Sequence, residues 1–161
     1  MAKAKRNSYK VFMNVGTSES PEWEIFGKDI EELSRELNNE VNSFINILGE
    51  TETDVTKGVQ VTSVDPIKFR DDSKISKILY EIYKYDKELS DVEFEFLEVN
   101  TTDNTAEAEN EYGAFMQVGA IDLKSWGGDT TGLNSPIDIN WKGEKTHGTF
   151  NPTTKLFTPE A

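Results

Sequence analysis

Two segments of this chain alternate apolar and polar side chains at a period of two, and that pattern restricts the fold more than any other feature. In Val92-Glu93-Phe94-Glu95-Phe96 the aromatic and acidic positions separate onto opposite faces, and Ile137, Ile139 and Trp141 alternate with Asp138, Asn140 and Lys142. Successive side chains of a strand point to opposite faces, so both segments are predicted as strands. The first has one wet acidic face. Weaker strand signals surround them. Tyr9 to Val15 is an apolar, β-favouring run closed by Gly16; Trp23, Ile25 and Phe26 mark a second, stopped by Gly27, with a Thr17–Pro21 turn cluster between them. Val55 to Val64 alternates and is predicted to end at Asp65-Pro66. Tyr112 to Trp126 has strand character, punctuated by Gly127-Gly128-Asp129. Gly143 to Gly148 reads as a turn, and Thr146–Phe150 with Lys155–Phe157 as a closing pair around Asn151-Pro152.

One helix is clear, over about 72–85. Asp71, Asp72 or Ser73 can cap it, and Ile75, Ile78, Leu79, Ile82 and Tyr83 form one apolar stripe, with Lys74, Lys77, Glu81 and Lys84 outside it. The stripe is expected to pack on the sheet, and Trp23, Ile75, Ile78, Leu79, Ile82, Phe94 and Phe96 are the expected core. Residues 29–49 fit two structures. Ile30, Leu33, Leu37, Val41, Phe44, Ile45 and Leu48 recur at helical spacing, with Gly49 placed as a terminator. The β-branched and aromatic run after Asn38-Asn39 fits instead two strands meeting at those asparagines. The fold class expected is mainly β (α+β), a β-rich domain carrying one helix.

At 161 residues the chain is expected to form one domain, 1–161, and a chain of this length buries roughly 70% of its unfolded surface without a staple. Cysteine is absent, which excludes disulfides, thiolate metal sites and thiol catalysis. Thirty acidic residues against seventeen basic ones give a formal charge of -13, a surface that repels nucleic acid and anionic membranes. The acids cluster: residues 19–54 hold eleven with two bases, and 103–111 hold four with none. Aromatic content of 11% argues against disorder throughout. The basic stretch 1–8 leads into no signal-peptide core, and no segment nears the ~20 apolar residues of a membrane span. A cytosolic protein, or one released by lysis, is the expectation.

Chemistry finds little to stand on. His147 is the single histidine, and Ser125 and Ser135 lack the Gly-x-Ser-x-Gly context of an exposed nucleophile. One histidine without cysteine makes a zinc site a poor reading. Glu93/Glu95 and Glu107/Glu109/Glu111 have the spacing of a strand face or a loop rather than of a glycosidase cleft. Residues 100–109 lack the ordered ligands of a calcium loop, and Gly127 to Gly132 lacks the lysine and helix of a phosphate loop. No catalytic residue, cofactor or metal is expected.

Several segments in order resemble a known family. They are Asn7-Ser8-Tyr9-Lys10-Val11-Phe12-Met13-Asn14-Val15-Gly16, Trp23-Glu24-Ile25-Phe26-Gly27, Lys57-Gly58-Val59-Gln60-Val61 with Val64-Asp65-Pro66, and Ser125-Trp126-Gly127-Gly128-Asp129-Thr130-Thr131-Gly132. Gly148-Thr149-Phe150-Asn151 and Leu156-Phe157-Thr158-Pro159 complete the set. Along nearly its whole length the chain resembles the major tail protein, or tail tube protein, of long-tailed bacteriophages of Gram-positive hosts. The resemblance implies a β-sandwich or partly open barrel with one flanking helix, in hexameric rings stacked into a hollow tube of the virion tail. Assembly would occur in the host cytoplasm, with tail-terminator, tail-tip and tape-measure proteins as partners, and DNA would pass without specific binding. It implies a long hairpin over about 28–50, whose strands join those of neighbours around the lumen. An acidic lining would repel phosphates; Asp29, Glu31, Glu36, Glu40, Glu93 and Glu95 are the lumen candidates. The polar stretches 1–8, 49–57 and 100–111 are expected to be mobile before assembly. The competing reading is a β-sandwich binding module for a carbohydrate or host-surface protein, which needs Trp23, Trp126 and Trp141 accessible together. An enzyme would need a pocket with perturbed carboxylates.

Overall fold

The computed structural model describes residues 2–28, 30–104 and 110–160. The fold is mainly β with one α-helix. In chain order the strands are β1 (Tyr9–Asn14), β2 (Trp23–Phe26), β3 (Ser34–Glu36), β4 (Glu40–Ile45), β5 (Thr51–Thr56) and β6 (Val61–Lys68). Helix α1 (Lys74–Lys84) follows, then β7 (Glu93–Asn100), β8 (Tyr112–Leu123), β9 (Gly127–Asp129), β10 (Gly132–Asn151) and β11 (Leu156–Pro159). Nine strands form one antiparallel sheet in the order β2-β1-β7-β8-β10-β6-β3, with β9 and β11 also paired to β10. Among the described residues β4 and β5 pair only with each other.

Strand parity builds two apolar clusters, one on each face of the sheet. Val11 and Met13 of β1, Phe96 of β7, Ile121 of β8 and Ile137, Ile139 and Trp141 of β10 join α1 through Ile75, Leu79 and Ile82. The opposite parity sends Phe12, Leu97, Val99, Ala114 and Phe150 to a second cluster with Trp23. Ile78 and Phe94 are only partly buried, packed at the rim of the first cluster, and Tyr83 of the expected stripe is exposed. Each fully buried aliphatic side chain of α1 stabilises the packing by about 1.5–3 kcal/mol.

The helix is tied down at its N-terminus. Ser73 caps it by accepting from the Ser76 N–H, and the Glu24 carboxylate of β2 accepts the N–H groups of Lys74 and Ile75. That carboxylate sits where unpaired N–H groups and the helix dipole favour negative charge.

Three expectations from the sequence are corrected. Asp65-Pro66 does not end a strand: β6 runs through it, joined by a cis peptide bond, opposite a register shift between Ser135 and Ile137. A bulge accepts a proline because its missing N–H interrupts no ladder bond there. The predicted turn at 143–148 is instead an interruption within β10, where the register to β8 shifts between Lys142 and Thr146. Gly143, at φ 72°, begins it, and His147 is an exposed strand residue opposite Phe115. Finally, residues 28–50 are neither a helix nor a hairpin turning at Asn38-Asn39. β3 pairs with β6, and the hairpin is β4–β5, turning at 46–49. Asn38, at φ 51°, redirects the chain from one to the other. Residues 51–56, expected within a mobile stretch, are strand β5. Of the acidic loop 100–111, residues 105–109 lie outside the described residues.

Candidate assembly interface

Every residue of β4 and β5 is exposed. A two-stranded hairpin with no third strand or packed face is marginal in water, so the composition of its faces matters. The register Val41↔Val55, Ser43↔Thr53 and Ile45↔Thr51 defines one face, uncharged and mostly β-branched; the Ser43 and Thr53 hydroxyls lie 3.0 Å apart on it. Glu40↔Thr56, Asn42↔Asp54 and Phe44↔Glu52 define the other, with three carboxylates and one aromatic ring. The hairpin is amphipathic in the manner of a strand pair that lies between an apolar layer and water. Its outer edges expose backbone N–H and C=O groups with no strand alongside, a template for pairing.

The tip is closed by hydrogen bonds within the turn. Asn46 Oδ1 accepts the N–H groups of Leu48 at 2.9 Å and Glu50 at 3.0 Å, while Asn46 N–H donates to the Glu50 carbonyl and Gly49 N–H to that of Asn46. Gly49 supplies the positive φ the turn needs. This organised loop displays Ile47 at 103% and Leu48 at 76% exposure. The whole chain exposes 10881 Å², against about 8,100 Å² for a compact monomer of its mass. A projecting hairpin contributes to such a surplus.

The base of the hairpin is anchored by a cluster of polar side chains. Arg35 of β3 pairs with Glu98 of β7, donates to Gln117 Oε1 at 2.7 Å and Gln60 Oε1 at 3.0 Å, and lies 3.8 Å from the Trp141 ring centre. The side chains of Arg35 and Glu98 are 10% and 11% exposed. Tyr9 donates to Glu98 at 2.9 Å. Burial lowers the Arg35 pKa from its usual value, opposed by Glu98 and Tyr9, and burial followed by the Glu98 charge raises that of Tyr9. Beyond β3, Asn38 Nδ2 donates to the Val59 carbonyl, and Gly58 passes so close that a Cβ there would lie 1.6 Å from the Asn38 carbonyl oxygen.

Of the lumen candidates, Glu40 lies on the acidic face of the hairpin, joined there by Glu52 and Asp54. Glu36 is exposed at the end of β3, and Glu31 is exposed in the connection before it. Glu93 and Glu95 are elsewhere, on β7 in the large sheet: Glu93 accepts from Lys142 at 2.7 Å, and Glu95 from Asn14 at 3.4 Å. Asp29 lies outside the described residues. Sequence reasoning missed Glu52, Asp54 and Asn46, which a hairpin turning after residue 45 would have paired, and Arg35, whose signal was a lone arginine in an acidic run.

Other candidates look different in place. The Ser135 hydroxyl is buried and donates to the Ser125 carbonyl. Trp23 and Trp141 are buried, the latter donating to Thr62 at 2.8 Å. Trp126 is half-buried, stacked on Tyr83 at 5.0 Å and near Phe69 and Tyr80. Among the described residues no group of three or more His, Cys, Asp or Glu is placed to hold a metal ion, and no helix is long and apolar enough to cross a membrane. No protein-family model matches the chain, and no curated protein matches it.

Proposed function

We propose that this chain is a structural virion protein, the tail tube subunit of a long-tailed phage, polymerising as stacked hexameric rings. The observation that carries this reading is the β4–β5 hairpin: exposed on both faces, open on both edges and segregated into an uncharged and an acidic side. Neighbouring copies supply what the hairpin lacks. Their strands satisfy its edges, their outer layer covers Val41, Val55 and Ile45, and Glu40, Glu52 and Asp54 line the bore. A conduit for DNA must not bind it, and carboxylates repel phosphate. Tail-terminator, tail-tip and tape-measure proteins are the partners this role requires. Burial of Trp23 and Trp141 weighs against a binding module built on three accessible tryptophans.

Negative-stain electron microscopy of the purified protein, fresh and after concentration, tests the proposal. Hollow filaments of uniform width with a ring repeat are expected. Discrete particles at every concentration, with sedimentation of a monomer throughout, would overturn it.

A further inference from the structure

A shallow groove of about 540 Å³ lies beside α1, walled by Phe69, Tyr80, Trp126 and Leu133, with Lys77, Asp71 and Arg70 at its rim. Lys84 stands above the Tyr80 ring, 5.8 Å from its centre. The wall is aromatic and half-exposed, and no described ion pair engages Lys77 or Lys84. In a chain of net charge -13, where copies repel one another, an apolar groove edged by lysines without a described ion pair is the kind of face that another copy can approach. The opposite composition occurs at the hairpin tip, where Ile47 and Leu48 project with Glu50 and Glu52 behind them. β4 and β5, each of six residues, extend the tip by about 20 Å. The exposure of Ile47 and Leu48 shows that the tip does not fold back onto its own groove.

Resting on the tail-tube reading, we propose that the aromatic groove beside α1 is the receptor for the hairpin tip of a second copy of this chain. Ile47 and Leu48 enter against Tyr80 and Trp126, and Glu50, in the turn beside them, faces Lys77 and Lys84. Tip and groove are different surfaces, so the contact is heterologous and propagates into a ring or a stack rather than closing as a dimer.

Because the chain has no cysteine, engineered thiols report this contact without background. Leu48→Cys and Lys77→Cys proteins, mixed, assembled and mildly oxidised, should yield a disulfide-linked dimer. Leu48→Cys mixed with Thr153→Cys, at the β10–β11 turn, should not. Lys77→Glu should raise the concentration needed for assembly about fivefold, the scale of one exposed ion pair, and Glu50→Lys added to it should restore assembly. Filaments without a Leu48–Lys77 cross-link above the control would overturn the docking and leave the tail-tube reading standing. Failure of the unmodified chain to assemble would overturn both. Quenching of Trp126 fluorescence by an oligosaccharide, with no response to protein concentration, would assign the groove to a glycan instead.

Discussion

At Arg35 a guanidinium is held between a carboxylate, two amide oxygens and an indole face, nearly out of water. Removing one member of such a pair leaves the other charge buried and uncompensated, at a cost of about 3–5 kcal/mol, whereas an apolar pair of similar volume is often near neutral. Glu98→Ala should therefore lower the unfolding free energy of the isolated protein, measured by urea titration, by an amount in that range, and Arg35→Met with Glu98→Leu should recover most of it. The Tyr9 hydroxyl gives this cluster a pH dependence. Its pKa is raised on folding, so its contribution is complete below the unfolded tyrosine value near 10 and is lost as pH rises beyond it. Unfolding stability should decline above pH ~10 by at most about 1.4 kcal/mol per pH unit, less because water reaches the half-buried ring. Tyr9→Phe should remove that part of the decline in denaturant titrations at pH 9 and pH 11. None of this was legible in the sequence, because Glu98 of β7 and Gln117 of β8 meet Arg35 of β3 across a sheet in which β10 and β6 lie between β8 and β3, so their contact depends on the folded sheet and on no local spacing.

Elements were legible where one face meets a core within the chain. The stripe of α1 buries Ile75, Leu79 and Ile82, β7 buries Phe96, and β1 and β2 bury Val11, Met13, Trp23 and Phe26; Tyr83 is exposed, and the face of β7 expected to be wet and acidic carries the buried Leu97 and Val99 beyond Glu95. The pattern misled where the complement is missing. Ile30 and Leu33 reach the core edge, but Leu37, Val41, Phe44, Ile45 and Leu48 face solvent, so their helical spacing corresponds to no buried stripe. β10 was unreadable as a single strand for another reason: Gly143-Glu144-Lys145 has the chemistry of a turn but forms a bulge, and the strand resumes after it. The hairpin carries its own prediction. Amides of β4 and β5 should exchange far faster than those of β1 or β7 in the monomer, and slow markedly on assembly, measured by hydrogen exchange with mass spectrometry. Val55→Asp should leave the thermal unfolding of the monomer nearly unchanged, since the position is exposed, yet abolish filaments.

For the molecule as a whole, charge opposes association. Copies bearing -13 each repel through water over a screening length that shrinks from about 30 Å at 0.01 M salt to 3 Å at 1 M. Assembly followed by light scattering should therefore show a shorter lag and a lower threshold concentration as sodium chloride rises. Slower assembly with salt would mean that attraction between opposite charges dominates the contact. Composition made the acidic excess legible at this scale, but not the placing of Glu40, Glu52 and Asp54 on one face, since that depends on the hairpin register.

The hairpin also sets a limit that can be counted. If six copies close a ring as proposed, two strands from each would make a twelve-stranded closed sheet; at about 4.8 Å spacing and 40° tilt its backbones would stand about 24 Å apart. Inward side chains of about 5 Å on each wall leave a bore too narrow for a double helix. Four strands per copy would double the circumference, and the nearest further strands in the chain are β3, at the border of the large sheet, and its partner β6. On the tail-tube proposal, a bore wide enough for a genome would thus require the main sheet itself to bend into the wall, and Arg35 of β3 would then stand at the seam between body and conduit.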